Sequence, residues 1–334
     1  MSAQRIIGSS SAWLETLDHV SILAPVNRPV LVLGERGTGK ELVAERLHYL
    51  SPRWQQPLVK VNCATFTESL LESELFGYEP GAFTGATRVH QGRFERADGG
   101  TLLLDELATL SNRVQEKVLR VIEYGEFERL GGQKTLRTDV RIVAATNADL
   151  RAMAAGGAFR QDLLDRLTFD ILPLPPLRQR QEDIADLANH FAVRMSHELG
   201  WDYFPGFSPQ ALQALRDYHW PGNVRELKNA VERSVYRSGG QGAVIDQIVI
   251  DPFEGLSVCA PPEPGSTDSS VETANPTEAS QNEDFATAVR AFEKQLLLDA
   301  LERVQFHQGQ AAEHLGLSYD QFRGLYRKYQ IGKS

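Results

Sequence analysis

The first half of the chain alternates apolar β-type runs with stretches of helical periodicity. The β-type runs are Pro29–Leu33, Leu58–Asn62, Thr101–Leu104, Val140–Thr146 and Phe169–Leu174. Such short apolar runs fit strands buried in a sheet interior. Between them, Glu41–Leu50 and Asn112–Tyr124 carry apolar residues at helical spacing. An amphipathic helix from Ser11 to about Leu23 precedes the first strand, with serines at its start and Pro25 after its end. Alternation of this kind predicts an α/β fold, a parallel sheet with helices on both faces.

The pattern changes at LPPLRQR, residues 174–180, a proline-marked exit from the sheet. From Glu182 to about Ser238 the chain reads as helical, with Ser208 as an N-cap and Pro209 at the first helical position. Over 255–284 Pro, Ser, Thr, Glu and Gly dominate and large apolar residues nearly vanish, the composition of a flexible linker. Helical patterning returns over Phe285–Ile331. Four parts are therefore expected: an α/β core over 1–177, a helical lid over 178–254, a linker over 255–284 and a small helical module over 285–334.

Composition narrows the classes. A chain of 334 residues with 42% hydrophobic content can pack two or three domains. The net charge of -9 exerts no global pull on nucleic acid, so any DNA binding must come from a local basic surface. Cys63 and Cys259 form no CxxC pair, which argues against a disulfide framework or a zinc site. No basic start followed by an apolar core opens the chain, and no apolar run approaches the roughly 18 residues that span a bilayer. A cytoplasmic protein is expected.

Candidate chemistry sits at two strand ends. GERGTGKE, residues 34–41, follows the first strand and opens a helix, the setting of a phosphate-binding loop. Gly34, Gly37 and Gly39 let the backbone curl, so that N–H groups of Glu35, Arg36, Thr38 and their neighbours face phosphates. Lys40 would reach the β- and γ-phosphates. Glu41 stands where a hydroxyl residue usually serves Mg²⁺, which shifts metal holding elsewhere. TLLLDE, residues 101–106, is an apolar strand ending in two acids. Asp105 would bind Mg²⁺ and Glu106 would orient and deprotonate the attacking water of an ATP hydrolysis.

ELFGYEPGAFTGA, residues 74–86, places GAFTGA between the second and third strands. This hexapeptide resembles the signature loop of bacterial enhancer-binding proteins, the AAA+ activators of sigma-54 RNA polymerase. GERGTGKE is similar to that family's phosphate loop. The likeness continues through NCA at 62–64, ADGGTLLLDE at 97–106, ATNADL at 145–150, FRQDLLDRL at 159–167, LPPLRQR at 174–180 and WPGNVRELKN at 220–229.

The resemblance implies roles. Asn62 would be the switch asparagine sensing the γ-phosphate through Glu106. Thr146 and Asn147 would form sensor I, and Arg225 sensor II. Arg160 and Arg166 would be arginine fingers completing a neighbouring subunit's site. Gly81, Ala82, Phe83, Thr84, Gly85 and Ala86 would form the sigma-54 loop, with Phe83 and Thr84 in contact. Taken singly, Arg160 and Arg166 also read as surface charges, Arg225 as a partner of Glu226 or Glu232, Asn62 as a strand-end turn residue and Phe83 as a buried residue under a loop tip. ATP and Mg²⁺ are the implied cofactors, and a homo-oligomer, a hexamer, is the implied assembly.

GQAAEHLGLSYDQFRGLYRKYQI, residues 309–331, reads as helix, turn, helix. Gly316 permits the turn, Ser318 caps the second helix, and Arg323, Arg327, Lys328 and Lys333 make the end basic. A preceding helix, Ala286 to about Val304, carries Val289, Phe292, Leu296, Leu297 and Leu301 on an apolar face. The module resembles the Fis-type DNA-binding domain of the same family. Tyr319, Asp320, Gln321, Arg323, Arg327 and Lys328 would approach enhancer DNA.

Most members of the family carry a regulatory domain before the core, whereas here the core begins near Gly8. Control in trans is expected, as in the phage-shock branch, whose activators are held by a PspA-like negative regulator. Trp54, in RLHYLSPRWQQP, residues 46–57, would be part of that regulator's docking surface. The alternative is a Trp54 folded onto the core through Leu47 and Leu50.

Overall fold

The computed structural model describes residues 6–238, 240, 242, 244–253, 293–301, 304 and 307–329. The expected linker over 255–284, Val289, Phe292 and Lys333 lie outside the described residues. The chain divides into two compact units, Met1–Ser257 and Val258–Ser334.

The first unit opens with helix α1 (Ser11–Leu23) and strand β1 (Val30–Leu33), followed by α2 (Lys40–Tyr49) and β2 (Leu58–Asn62). Next come α3 (Glu68–Phe76), α4 (Arg93–Arg96), β3 (Thr101–Asp105) and α5 (Asn112–Tyr124). Then follow a short antiparallel hairpin, β4 (Glu126–Glu128) and β5 (Thr135–Arg137), and β6 (Arg141–Thr146). The core closes with α6 (Leu150–Ala155), α7 (Gln161–Leu167) and β7 (Asp170–Pro173).

The five-stranded sheet runs β2-β3-β6-β1-β7, parallel at every pairing. Its side chains alternate between two cores. Leu31, Leu102, Leu104, Ile142 and Ala144 face one, under α3, α5 and α7. Val30, Val32, Leu103, Val143 and Ala145 face the other, with Trp13 and Val20 of α1 and Val43 and Leu47 of α2. Burial on both faces explains why β1, β3 and β6 lack a polar side, whereas edge strand β2 exposes Lys60 and Asn62.

A buried cation ties the second face together. Arg141 is 3% exposed. Its Nη1 donates to the Ala24 carbonyl at 2.7 Å and its Nη2 to the Leu23 carbonyl at 3.0 Å. The guanidinium thus satisfies carbonyls at the C-terminus of α1.

The lid consists of α8 (Glu182–Glu198), α9 (Pro209–Asp217) and α10 (Asn223–Arg237) around Trp220 and Leu227. The expected continuous helicity fails over 199–208, where Gly200 and Gly206 take left-handed φ of 74° and 104°. The cap at Ser208 is as expected: its Oγ accepts from the Ala211 N–H, with Pro209 starting the helix. Ser10 differs from the expected cap. Its Oγ and N–H donate to buried Asp183 of α8, so this serine ties the N-terminal segment to the lid.

In the second unit, residues 293–301 are helical (α11), followed by α12 (Gln308–His314) and α13 (Tyr319–Lys328). Leu297, Leu301, Ala311, Ala312 and Phe322 form its core. Gly316, at φ 67°, makes the turn, and Ser318 and Gln321 cap α13 reciprocally.

Candidate functional site

The strand order sets four functional positions side by side along the C-terminal edge of the sheet. Asn62 ends β2, Asp105 ends β3, Thr146 ends β6, and Gly34 follows β1. Asn62 and Asp105 are register partners, and the Gly34 N–H donates to the Thr146 carbonyl at 3.3 Å. Ligands of open α/β sheets bind outside this edge.

Lys40 begins α2 and is 8% exposed. Its Nζ donates to the Gly34 carbonyl at 2.9 Å and the Glu35 carbonyl at 3.2 Å, curling back across the loop. Burial holds its pKa below the usual lysine value, while Glu106 and Asp105 oppose that shift. Gly37, at φ 78°, lies against the lid: a Cβ there would fall 2.3 Å from the Gly222 carbonyl. Glu41 borders the cleft, but its carboxylate accepts from Lys60 of β2 at 3.0 Å.

The amide of Asn62 reaches Asp105. Its Nδ2 donates to the Asp105 carboxylate at 3.4 Å, and its Oδ1 accepts from the Ala64 N–H at 3.0 Å. The reason is geometric: Asn62 and Asp105 are in register, while Glu106 leaves the strand in a left-handed conformation, φ 52°. That conformation is costly for a side-chain-bearing residue, so the surrounding structure must hold it. Thr146 is fully buried, with its Oγ1 accepting from the Ala148 N–H, and Asn147 is exposed.

A cavity of about 470 Å³ lies between core and lid. Its polar wall comprises Arg36–Glu41, Asp105, Glu106, Arg180, Arg225 and Lys228. Ile6, Ile7, Trp13, Leu187 and Phe191 form an apolar wall, so the cavity suits a flat base on a polyanionic tail. Sequence reasoning named the loop residues, Asp105, Glu106 and Arg225 of the polar wall but not Arg180 or Lys228, and it missed the apolar wall, which the N-terminal segment with α1 and α8 build without a local motif. Arg180 stacks over the Trp13 ring at 4.4 Å. As a donor for a cation, the Asp105 carboxylate on the cavity wall fits Mg²⁺, which takes one or two protein carboxylates and otherwise phosphate and water.

Arg160 and Arg166 lie outside the cavity lining, flanking and within α7. Both are held by acids of their own chain. Arg160 donates to Asp162 at 3.0 and 2.7 Å, and Arg166 Nε to Glu123 at 2.8 Å.

GAFTGA crowns the loop between α3 and α4. Tyr78 and His90 exchange backbone hydrogen bonds at 3.1 and 3.0 Å and close its neck. The Gly81 N–H donates to the Ala86 carbonyl at 2.8 Å, which tightens the tip. Phe83 is 48% exposed and packs edge-on against Tyr78, with centroids 4.9 Å apart. Arg129, just past β4, donates to Glu79 of the loop at 2.7 Å and to Glu95 of α4 at 2.9 and 2.6 Å.

Trp54 is 56% exposed, which removes the alternative of a ring folded onto the core. Its loop is braced by Arg53, which donates to the Asp139 carboxylate at 2.7 and 2.9 Å. On α13, Tyr319, Gln321, Arg323, Arg327 and Lys328 are exposed. The side chain of Asp320 lies outside the described residues. Lys328 stands 3.4 Å from Glu293 of α11.

Comparison with known proteins decides the family. The model described as sigma-54 interaction domain matches residues 6–172. An AAA+ ATPase lid domain matches 178–251, and the Fis family of bacterial regulatory proteins matches 288–329. The chain belongs to the sigma-54 activator family. It is thus an AAA+ ATPase and an enhancer-binding type of transcriptional activator. It is 55% identical to the Psp operon transcriptional activator of Escherichia coli K12 over 326 residues, 98% of each chain. It is 43% identical to the regulatory protein AtoC of the same organism, covering 94% of this activator and 65% of AtoC. Against the Nif-specific regulatory protein of Klebsiella pneumoniae, also 43% identical, it spans 57% of that relative's length. NtrX of Brucella abortus, solved in complex with ATP, superposes with a TM-score of 0.68 at 32% identity, covering 98% of this chain and 70% of NtrX. NtrX has also been solved with ADP, at a TM-score of 0.67. Among the described residues no helix is long and apolar enough to cross a membrane.

Proposed function

We propose that this activator assembles into a ring, a hexamer, on enhancer DNA in the cytoplasm and uses ATP hydrolysis to convert a closed sigma-54 RNA polymerase promoter complex to the open form. The observation that carries this reading is the joining of two features in one α/β body. An ATP-sized cleft ends β3, and an exposed Phe83-tipped loop leaves the segment between α3 and α4.

In the proposed cycle, the N–H groups of Gly34–Lys40 and the Lys40 ammonium bind the ATP phosphates. Asp105 would hold Mg²⁺, which supplies charge neutralisation at the phosphates. Glu106 orients the attacking water and takes its proton. Arg160 and Arg166 of one protomer complete the site of the next, an arrangement that can be worth about 10³–10⁵ in rate. Asn62, Thr146 and Asn147 read the state of the γ-phosphate, and Arg225 reads it from the lid. The GAFTGA loop then changes its population between latched and raised positions, and Phe83 and Thr84 engage sigma-54.

The α13 surface, Tyr319 to Lys328, binds the enhancer in this reading. The likeness to the Psp operon activator supports the phage-shock operon as target, with a PspA-like negative regulator docking at Trp54. Thr84→Ala tests the loop assignment. It should hydrolyse ATP at the wild-type rate and fail to bind sigma-54 in the presence of an ATP transition-state analogue. Normal transcription activation by this variant would remove the assigned role.

A further inference from the structure

Three consecutive carbonyls of the phosphate loop, those of Arg36, Gly37 and Thr38, are taken by donors from outside the loop. The Arg36 carbonyl accepts from Asn223 Nδ2 at 3.1 Å, the Gly37 carbonyl from the Val224 N–H at 3.0 Å, and the Thr38 carbonyl from Arg180 Nη2 at 3.0 Å. Asn223 and Val224 start α10 of the lid, and Arg180 lies in the connection from core to lid. A peptide whose carbonyl points toward the lid turns its N–H the other way. The lid side therefore helps fix three consecutive peptides of the loop: the first and third turn the Gly37 and Gly39 N–H groups toward the phosphate side, while the Thr38 N–H closes on the Glu35 carbonyl at 3.4 Å.

Glu35 completes the arrangement. Its carboxylate accepts from Arg178 at 2.8 and 2.6 Å and from Asn223 Nδ2 at 3.0 Å. Asn223 Oδ1 accepts from the Leu177 N–H at 2.7 Å. Asn223 is fully buried and sits at φ 51°, a left-handed conformation held by its place between loop and lid. The Arg178 guanidinium and the Asn223 amide hold the Glu35 carboxyl at about 2, well below the usual carboxylate range, so the clasp is ionised at any physiological pH. Two residues beyond Asn223, the Cβ of Arg225 lies 3.0 Å from where a side chain on Gly37 would begin.

We propose that Glu35, Arg178, Arg180 and Asn223 form a positioning clasp through which the lid preorganises the phosphate loop, so that nucleotide affinity and lid placement are set by one structure. None of the four needs to touch the reacting atoms. The clasp rests on the reading of the cleft as a nucleotide site, and the test separates the two.

The full chain is titrated with a fluorescent ADP analogue, alongside steady-state ATP hydrolysis. Glu35 and Arg178 are partly exposed, so their variants should fold. Glu35→Ala removes the acceptor of both partners and should raise the Kd for ADP and the KM for ATP about ten-fold, with kcat at saturating ATP within about two-fold. Glu35→Gln keeps an acceptor and should lose only about two- to three-fold. Asn223→Gly, which tolerates the positive φ, should match Glu35→Ala. An ADP affinity in Glu35→Ala within two-fold of wild type, or equal losses in the Gln and Ala variants, overturns the clasp. Failure of the wild-type chain to bind ADP would instead overturn the nucleotide reading.

Discussion

Single residues carry strain and burial that the surrounding structure must justify. Glu106 takes a left-handed conformation at the end of β3, where glycine would be at ease. If that conformation serves catalysis, Glu106→Ala should bind ATP with near-wild-type affinity while turnover falls at least about a hundred-fold, as for loss of a general base. Turnover measured beside nucleotide binding separates the two effects. His48 presents a different case. It is 1% exposed, and its Nδ1 lies 2.9 Å from Thr101 Oγ1 at the start of β3. Burial lowers its pKa, against an opposing hydrogen bond from the imidazole to the Trp54 backbone. A histidine lowered in the folded state binds protons more readily when unfolded. Its stabilising effect is therefore complete above the ordinary value near 6.5 and is lost as pH falls through that value toward the folded one. Urea midpoints between pH 7.5 and 5.5 should fall for the wild-type chain, and fall less steeply for His48→Gln.

Among elements, the β4–β5 hairpin and the GAFTGA loop act as a pair. The Glu79 N–H donates to the Leu130 carbonyl, and the Leu130 N–H to the Gly77 carbonyl, each at 3.0 Å. Arg129 bridges Glu79 and Glu95 with its side chain only 17% exposed. Arg129→Gln removes a partly buried cation from two carboxylates. It should speed amide hydrogen exchange at Tyr78 and His90 while leaving exchange in β3 and β6 unaltered. Unchanged protection at those two amides would show that the backbone alone keeps the loop down. The hairpin also marks where sequence legibility ends. Its strands are three residues each, too short for alternation to register, and the Arg129–Glu79 contact that ties the hairpin to the loop spans 50 residues of sequence. The central strands β1, β3 and β6 were legible because burial on both faces makes each an apolar run, and edge strand β2 because it alternates apolar and polar residues. The phosphate loop and the Asp105–Glu106 pair were legible because local spacing alone determines them. The apolar wall of the cleft, Ile6, Trp13 and Phe191 among it, was not, since these residues meet only after the lid has packed.

At the scale of the whole molecule, the unfilled role is that of Arg160 and Arg166. Neither lines the cleft of its own chain, and each is engaged by a local acid, Asp162 or Glu123. Both pairs are solvent-accessible, and exposed pairs of this kind hold their partners only weakly. In the proposed ring, a desolvated γ-phosphate on a neighbouring protomer would compete for both arginines, and their weak local pairs would let them go at little cost. Two consequences follow for hydrolysis by the intact chain. Activity per protomer should rise with protein concentration until assembly is complete. Mixing Lys40→Ala, which has intact fingers and a disabled cleft, with Arg166→Ala, which has the reverse, should restore turnover above either variant alone. The restored activity comes from interfaces where an intact cleft meets an intact finger, so it should peak at intermediate mixing ratios. Additive, unrestored activity at every ratio would mean that each cleft works within a single chain, and Arg160 and Arg166 would return to the status of surface charges.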